Sequence, residues 1–207
     1  MLKSLENIRN YKVHAKNGDI GRVEDFYFDD KDWTTRYLVA NCGNWVMGHQ
    51  KVLIAPEYFD HTDLMEEKLY LNLTQEQVED SPIISTHTPI SKQHISTRIF
   101  TPVSPEYEDR DEEALAGMMT NPEDEHLYSL KDTKGLHIEA LDGEIGHVLD
   151  FMVNDETWEI VWMIVNTHNW WPGKSVLISP DRIKSVNWPK RRIYLSMTRQ
   201  EVKESHE

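Results

Sequence analysis

Cysteine is nearly absent from this 207-residue chain, with Cys42 the single example, so no intrachain disulfide can form. That pattern fits a reducing compartment. Long apolar runs are also missing; the longest fall far short of the roughly 20 residues that a helix needs to span a bilayer. The opening Met1-Leu-Lys-Ser-Leu-Glu-Asn7 has no apolar core of a secretory signal. A cytoplasmic location without a transmembrane segment is therefore expected. Basic side chains are scarce, 22 Lys and Arg against 36 Asp and Glu, for a net charge of −14. The deficit is net −6 over residues 1–82, −6 over 83–125 and −2 over 126–207. Nucleic-acid binding depends on Lys and Arg neutralising phosphates, so an acidic surface argues against a nucleic-acid partner. The sole basic cluster is Lys190-Arg191-Arg192, three charges at an expected hairpin tip.

Chemical signatures are equally sparse. There is no Gly-x-Ser-x-Gly, P-loop or dinucleotide fingerprint, and Gly18-x-x-Gly21 falls in a hairpin rather than ahead of a helix. The ten histidines show no metal-ligand spacing; His87, His94 and His168 come nearest to a set. Asp29-Asp30-Lys31-Asp32 lacks the glycine and bidentate glutamate of a calcium loop, and reads as a hairpin turn. No metal, no cofactor and no catalytic residue are expected.

What the chain does contain is the same unit twice. Residues 4–50 align with 129–175 at an offset of 125, and the offset becomes 124 from Val52 onward. Gly18-Asp-Ile-Gly21-Arg-Val-Glu-Asp25-Phe26 recurs as Gly143-Glu-Ile-Gly146-His-Val-Leu-Asp150-Phe151. Asn44-Trp45 recurs as Asn169-Trp170, and Val52-Leu-Ile-Ala-Pro56 as Val176-Leu-Ile-Ser-Pro180. A position that keeps its residue in both copies is one the fold requires. Cys42 is not such a position, since Thr167 replaces it.

Both copies read as short strands. Lys68–Leu73 alternates with period two, and Tyr37–Ala40 and Val52–Ile54 are short, branched and apolar. Asn17-Gly18 and Asp142-Gly143 predict hairpin turns with positive φ. Gly21 and Gly146, early in the next strand, suit a bulge or a close backbone approach. Pro56 and Pro180 sit at the first position of an expected helical turn, with Phe59 and Ile183 facing the core. Thr74–Gln77 and Thr198–Glu201 are capping boxes that open a short C-terminal helix in each copy. The expectation is a mainly all-β chain: two tandem small antiparallel barrels, at 1–82 and 126–207, each closed by a short helix. Residues 83–125, acidic and punctuated by prolines, form a long irregular linker, helical at most over Asp111–Met119.

These motifs, with the Trp33 and Trp158 hairpins, Trp171-Pro-Gly-Lys174 and Pro89-Ile-Ser-Lys-Gln-His94, resemble the PRC-barrel family. Its superfamily includes the cytoplasmic domain of the photosynthetic reaction-centre H subunit and a domain of a ribosome-maturation factor. The layout is most similar to bacterial tandem PRC-barrel proteins. The aromatic-rich stretch that often follows their inter-barrel motif is replaced here by Ile95–Glu113. The resemblance implies a six-stranded barrel used for assembly and protein contact, with no catalytic residues to carry over.

The loop between the middle strands is where a binding reading competes with a structural one. Trp45 and Trp170 plug the ends of their barrels in the structural reading, with Asn44 and Asn169 bonding the turn. As contact residues they join Trp171, which is matched by Val46 and is the better candidate, and the Lys190-Arg191-Arg192 cluster. The leading functional expectation is a soluble, non-catalytic scaffold or adaptor that binds an unknown protein partner. The alternatives are a small-ligand binder or enzyme using a barrel-end or interdomain cleft, and a ribosome accessory factor acting through protein contacts. Pairing of the two barrels within one chain is expected about a pseudo-two-fold axis, and a homo-oligomer is compatible with it.

Overall fold

Period-two burial sets the strands. In Lys12–Ala15 (β2), Val13 and Ala15 are buried while Lys12 and His14 face outward, and His137–Ala140 (β9) repeats the pattern. Such alternation needs one face against a core and one against solvent. The computed structural model describes residues 1–43, 51–89, 124, 126–167, 171 and 173–205. It is mainly β.

Sheet one contains Gly18–Asp29 (β3), Thr34–Asn41 (β4), Lys51–Ile54 (β5), Phe59–Asp63 (β6) and Lys68–Leu71 (β7), in the order β5-β4-β3-β2-β7-β6. Sheet two contains Gly143–Asn154 (β10), Ile160–Asn166 (β11), Ser175–Ile178 (β12), Ile183–Asn187 (β13) and Arg192–Leu195 (β14). Its order is β12-β11-β10-β9-β14-β13, the same arrangement. One pairing in each departs from the antiparallel expectation, because β2 runs parallel to β7 and β9 to β14. The paired strands are far apart in the chain, which gives room for the crossover that parallel strands need. Among the described pairings the edge strands β5 and β6 do not meet; residues 82–83 flank β5 instead, through a Val52–Ile83 bridge.

The repeat boundaries at 82 and 126 do not divide the sheets. Leu2–Ser4 (β1) pairs with β10 of the second repeat, and Leu127–Ser129 (β8) pairs with β3 of the first. Each repeat thus lends its first strand to the other. The hairpins after β3 and β10 also cross over: Thr35 N–H donates to the Trp158 carbonyl at 2.9 Å, and Ile160 N–H to that of Trp33 at 2.7 Å. Trp158 stacks on Phe26 and meets Phe59 edge-on at 4.6 Å, and Phe28 lies 5.2 Å from Phe151. Trp33 and Trp158 therefore pack at the junction between the repeats. One continuous apolar cluster runs through both halves. A second, small cluster of Tyr27, Val39, Leu53 and Leu127 lies apart from it, with Ile84 packed against it.

Turns and caps follow the sequence with one correction. Thr74 and Thr198 make the expected capping boxes ahead of Gln75–Glu79 (α2) and Arg199–Glu204 (α4). Pro56 and Pro180 open 3-10 turns, and Phe59 and Ile183 pack on the core. In the first hairpin, however, Ala15 pairs with Gly18, so Lys16 and Asn17 form the turn and Gly18 begins the strand. The positive φ, 153° at Gly18 and 136° at Gly143, falls on those strand residues. At Gly21 and Gly146 the reason for glycine is closeness as well as φ. A Cβ would lie 2.1 Å from the Asn41 carbonyl oxygen and 1.7 Å from that of Asn166, and Ile20 is bulged out of the β2–β3 pairing.

Candidate functional site

Asp25 and Asp150, the repeated aspartates ahead of Phe26 and Phe151, are buried at 2% and 8% exposure. Burial of a carboxylate is costly unless donors surround it. Here the next residue's amide, of Phe26 or Phe151, donates from the same repeat, and the other donors come from the opposite repeat. Ser4, the N-cap of Leu5–Ile8 (α1), donates its hydroxyl to Asp150 Oδ2 at 2.5 Å, and the Glu6 amide donates to Oδ1 at 3.0 Å. Ser129, the N-cap of Leu130–Thr133 (α3), donates to Asp25 Oδ2 at 2.6 Å, and the Lys131 amide donates to Oδ1 at 3.1 Å. Each serine also accepts from its own helix, from the Asn7 or Asp132 amide. A capping serine is thus joined to a carboxylate across the junction, once in each direction. Desolvation raises the Asp150 carboxyl above its ordinary value, against the bonds from Ser4, Phe151 and Glu6.

This exchange builds a cleft of about 770 Å³ on the first repeat. Arg9 follows α1, Arg22 and Glu24 lie on β3, and Lys51 begins β5; the fourth cation, Lys131, comes from α3 of the second repeat. Lys51 Nζ and Lys131 Nζ reach the same Glu24 oxygen, at 2.6 and 3.2 Å. Burial would raise the Glu24 carboxyl, but the two lysines outweigh it and hold the group below its ordinary value. Arg22 Nη1 donates to the Asn10 carbonyl at 2.7 Å. Cys42 also lines the cleft, yet burial pushes its thiol up to about 11, which leaves little thiolate at neutral pH.

The matching place on the second repeat has Lys134 for Arg9, His147 for Arg22, Leu149 for Glu24, Ser175 for Lys51 and Glu6 for Lys131. The cationic wall is therefore not something the fold requires. No sequence signal pointed to it, because its four cations are scattered from residue 9 to residue 131. A smaller hollow of about 480 Å³ lies beside β1, lined by Leu2, Ile8, Tyr11, Leu64 and Met152. The one carboxylate among its lining residues, Asp150, is already held by Ser4.

Of the residues singled out for partner contact, Trp171 and Lys190-Arg191-Arg192 are among the described residues. Trp171 is partly buried and packs against the core, with Lys203 Nζ 5.5 Å and Lys174 Nζ 5.9 Å from its ring centre. Asn44, Trp45, Asn169 and Trp170 lie outside the described residues. Lys190 and Arg191 are exposed on the β13–β14 hairpin, whereas Arg192 is paired with Glu139 and Glu144. Of the three histidines nearest to a ligand set, His94 and His168 lie outside the described residues. His87 stacks on Tyr37 and bonds Asp124 at 2.9 Å, and Asp124 also accepts the Thr88 amide at 2.8 Å. Both ends of the connector are thus pinned at one point. Among the described residues there is no metal-holding group of three or more His, Cys, Asp or Glu. No described helix is long and apolar enough to cross a membrane.

Comparison with protein-family models finds no match. Comparison with curated proteins finds none either.

Proposed function

We propose that this protein is a non-catalytic, cytoplasmic scaffold made of two interlocked PRC-barrel-like halves, presenting a protein-binding surface. The observation that carries this reading is the reciprocal Ser–Asp lock. The buried carboxylates of Asp25 and Asp150 and the buried hydroxyl of Ser129 are spent on joining the repeats. A duplicated rigid body of this kind has free surface that can diverge between its copies. The β13–β14 hairpin with Lys190 and Arg191, and the neighbourhood of Trp171, are the contact surfaces in this reading. Aromatic and arginine side chains supply much of the binding energy at interfaces.

The test compares the whole chain with a Lys190→Glu/Arg191→Glu variant and a Trp171→Ala variant, each immobilised against extract of the source cells. Recovery is quantified by mass spectrometry. A stoichiometric protein that is retained by the native chain and lost by at least one variant supports the scaffold. Equal recovery by all three, or none, contradicts these contact surfaces.

A further inference from the structure

We propose that the cleft bounded by Arg9, Arg22, Lys51 and Lys131 is a binding site for a small phosphate-bearing anion. The chain as a whole is strongly acidic, at −14, yet this concave wall gathers four cations around Glu24; with Arg9 also paired to Glu6 at 2.6 Å, a surplus of two positive charges remains. Like charges brought together in a cleft repel one another and raise its affinity for counter-charge. Glu24 fixes two of them by holding both ammonium groups on one oxygen. The Asn10 carbonyl fixes a third, the Arg22 guanidinium. Arg9 Nε has no hydrogen-bond partner although it is buried.

Size and geometry favour a small ligand over a flat protein face. About 770 Å³ falls within the range of small-molecule sites, roughly 300–1,000 Å³. Guanidinium forks match phosphate oxygens, and lysine adds point charge beside them. A phosphate group carrying about two negative charges would balance the surplus. The second repeat, with Glu6, Leu149 and Ser175 at the equivalent places, forms no counterpart. The site also depends on the exchange between repeats, because Lys131 arrives on the helix whose cap is held by Asp25. It is independent of the scaffold reading, since none of its residues belongs to the proposed protein-contact surface.

The test titrates the full chain with inorganic pyrophosphate and, separately, with ADP, by isothermal calorimetry at low salt. One site per chain is expected. Arg22→Gln/Lys51→Gln should weaken it by about tenfold or more, while Lys190→Gln/Arg191→Gln leaves it unchanged. Lys131→Gln changes an exposed side chain and so spares the fold; it should give a smaller loss in the same direction. Tighter binding of ADP assigns the site to organic phosphates, and equal or tighter binding of pyrophosphate assigns it to the inorganic ion. No heat with either at millimolar concentration would overturn the proposal. So would equal losses in the Lys190/Arg191 control.

Discussion

Glu67 and Arg191 occupy the same left-handed backbone position of the same hairpin, at φ 51° and 50°, and carry opposite charges. The cleft beside Arg22 shows the same divergence: it is cationic in the first repeat, while the second has His147, Leu149 and Ser175 there. By contrast, Gly21 and Gly146, Asp25 and Asp150, and Ser4 and Ser129 are unchanged between repeats and make equivalent contacts. What the two copies share is what holds them together. The charges at the hairpin tip and in the cleft are not shared.

The largest effect should come from breaking the shared part at its tightest point. Gly21→Ala and Gly146→Ala each drive a methyl group into a carbonyl oxygen of the adjacent strand and impose an unfavourable φ. Each should cost on the order of 3–4 kcal/mol, read as a fall in denaturant midpoint. A tolerated alanine at either position would break the equivalence.

Removing the lock should come next. Asp25→Ala and Asp150→Ala each strand a serine hydroxyl and two amides, for a loss on the order of 3 kcal/mol. Asp150→Asn should cost much less, because an amide can still accept from Glu6 and Phe151 and relieves the burial of charge. If Asp150→Asn is as damaging as Asp150→Ala, the carboxylate does something other than receive the cap.

Acid sharpens the comparison further. Asp19 and Glu144 share a repeat position, and both are pulled below their ordinary values chiefly by a histidine partner, His14 and His137 respectively. The stability they lend is present at neutral pH and is lost as pH falls through their folded values. Asp150 is shifted upward, so its sign is opposite: ionised, it burdens the fold, and that burden lifts as pH falls through its folded value. Carboxyl NMR titration should place Asp150 above 3.8 and Asp19 below it. The reverse order would contradict this reading of the lock.

The smallest effect belongs to the divergent positions. Exchanging charge at the hairpin tips, by Glu67→Arg or Arg191→Glu, should move stability by no more than about 0.5 kcal/mol. A larger change in thermal midpoint would mean that the tips are structural.

Much of this was legible in the sequence. The repeat register located equivalent strands, capping boxes and prolines because those features are local and each has a spacing of its own. The exchange was not legible, because β1 and β8 are three residues each, too short for a periodic signal. Their spacing to the next element is also the same whichever sheet they join. The signal that could have exposed it was Ser4 and Ser129 retained along with Asp25 and Asp150, polar residues with no stated role inside one copy. The cationic cleft stayed hidden for a different reason: its charges converge only in three dimensions, three of them from a half whose net charge is −6 and one from the other half.

The central claim is that the two repeats form one interlocked folding unit, and scanning calorimetry of the whole chain tests it most directly. A single transition is expected, with calorimetric and van't Hoff enthalpies that agree, shifted as a whole to lower temperature by Asp25→Ala. Two resolved transitions, of which Asp25→Ala moves only one, would contradict it.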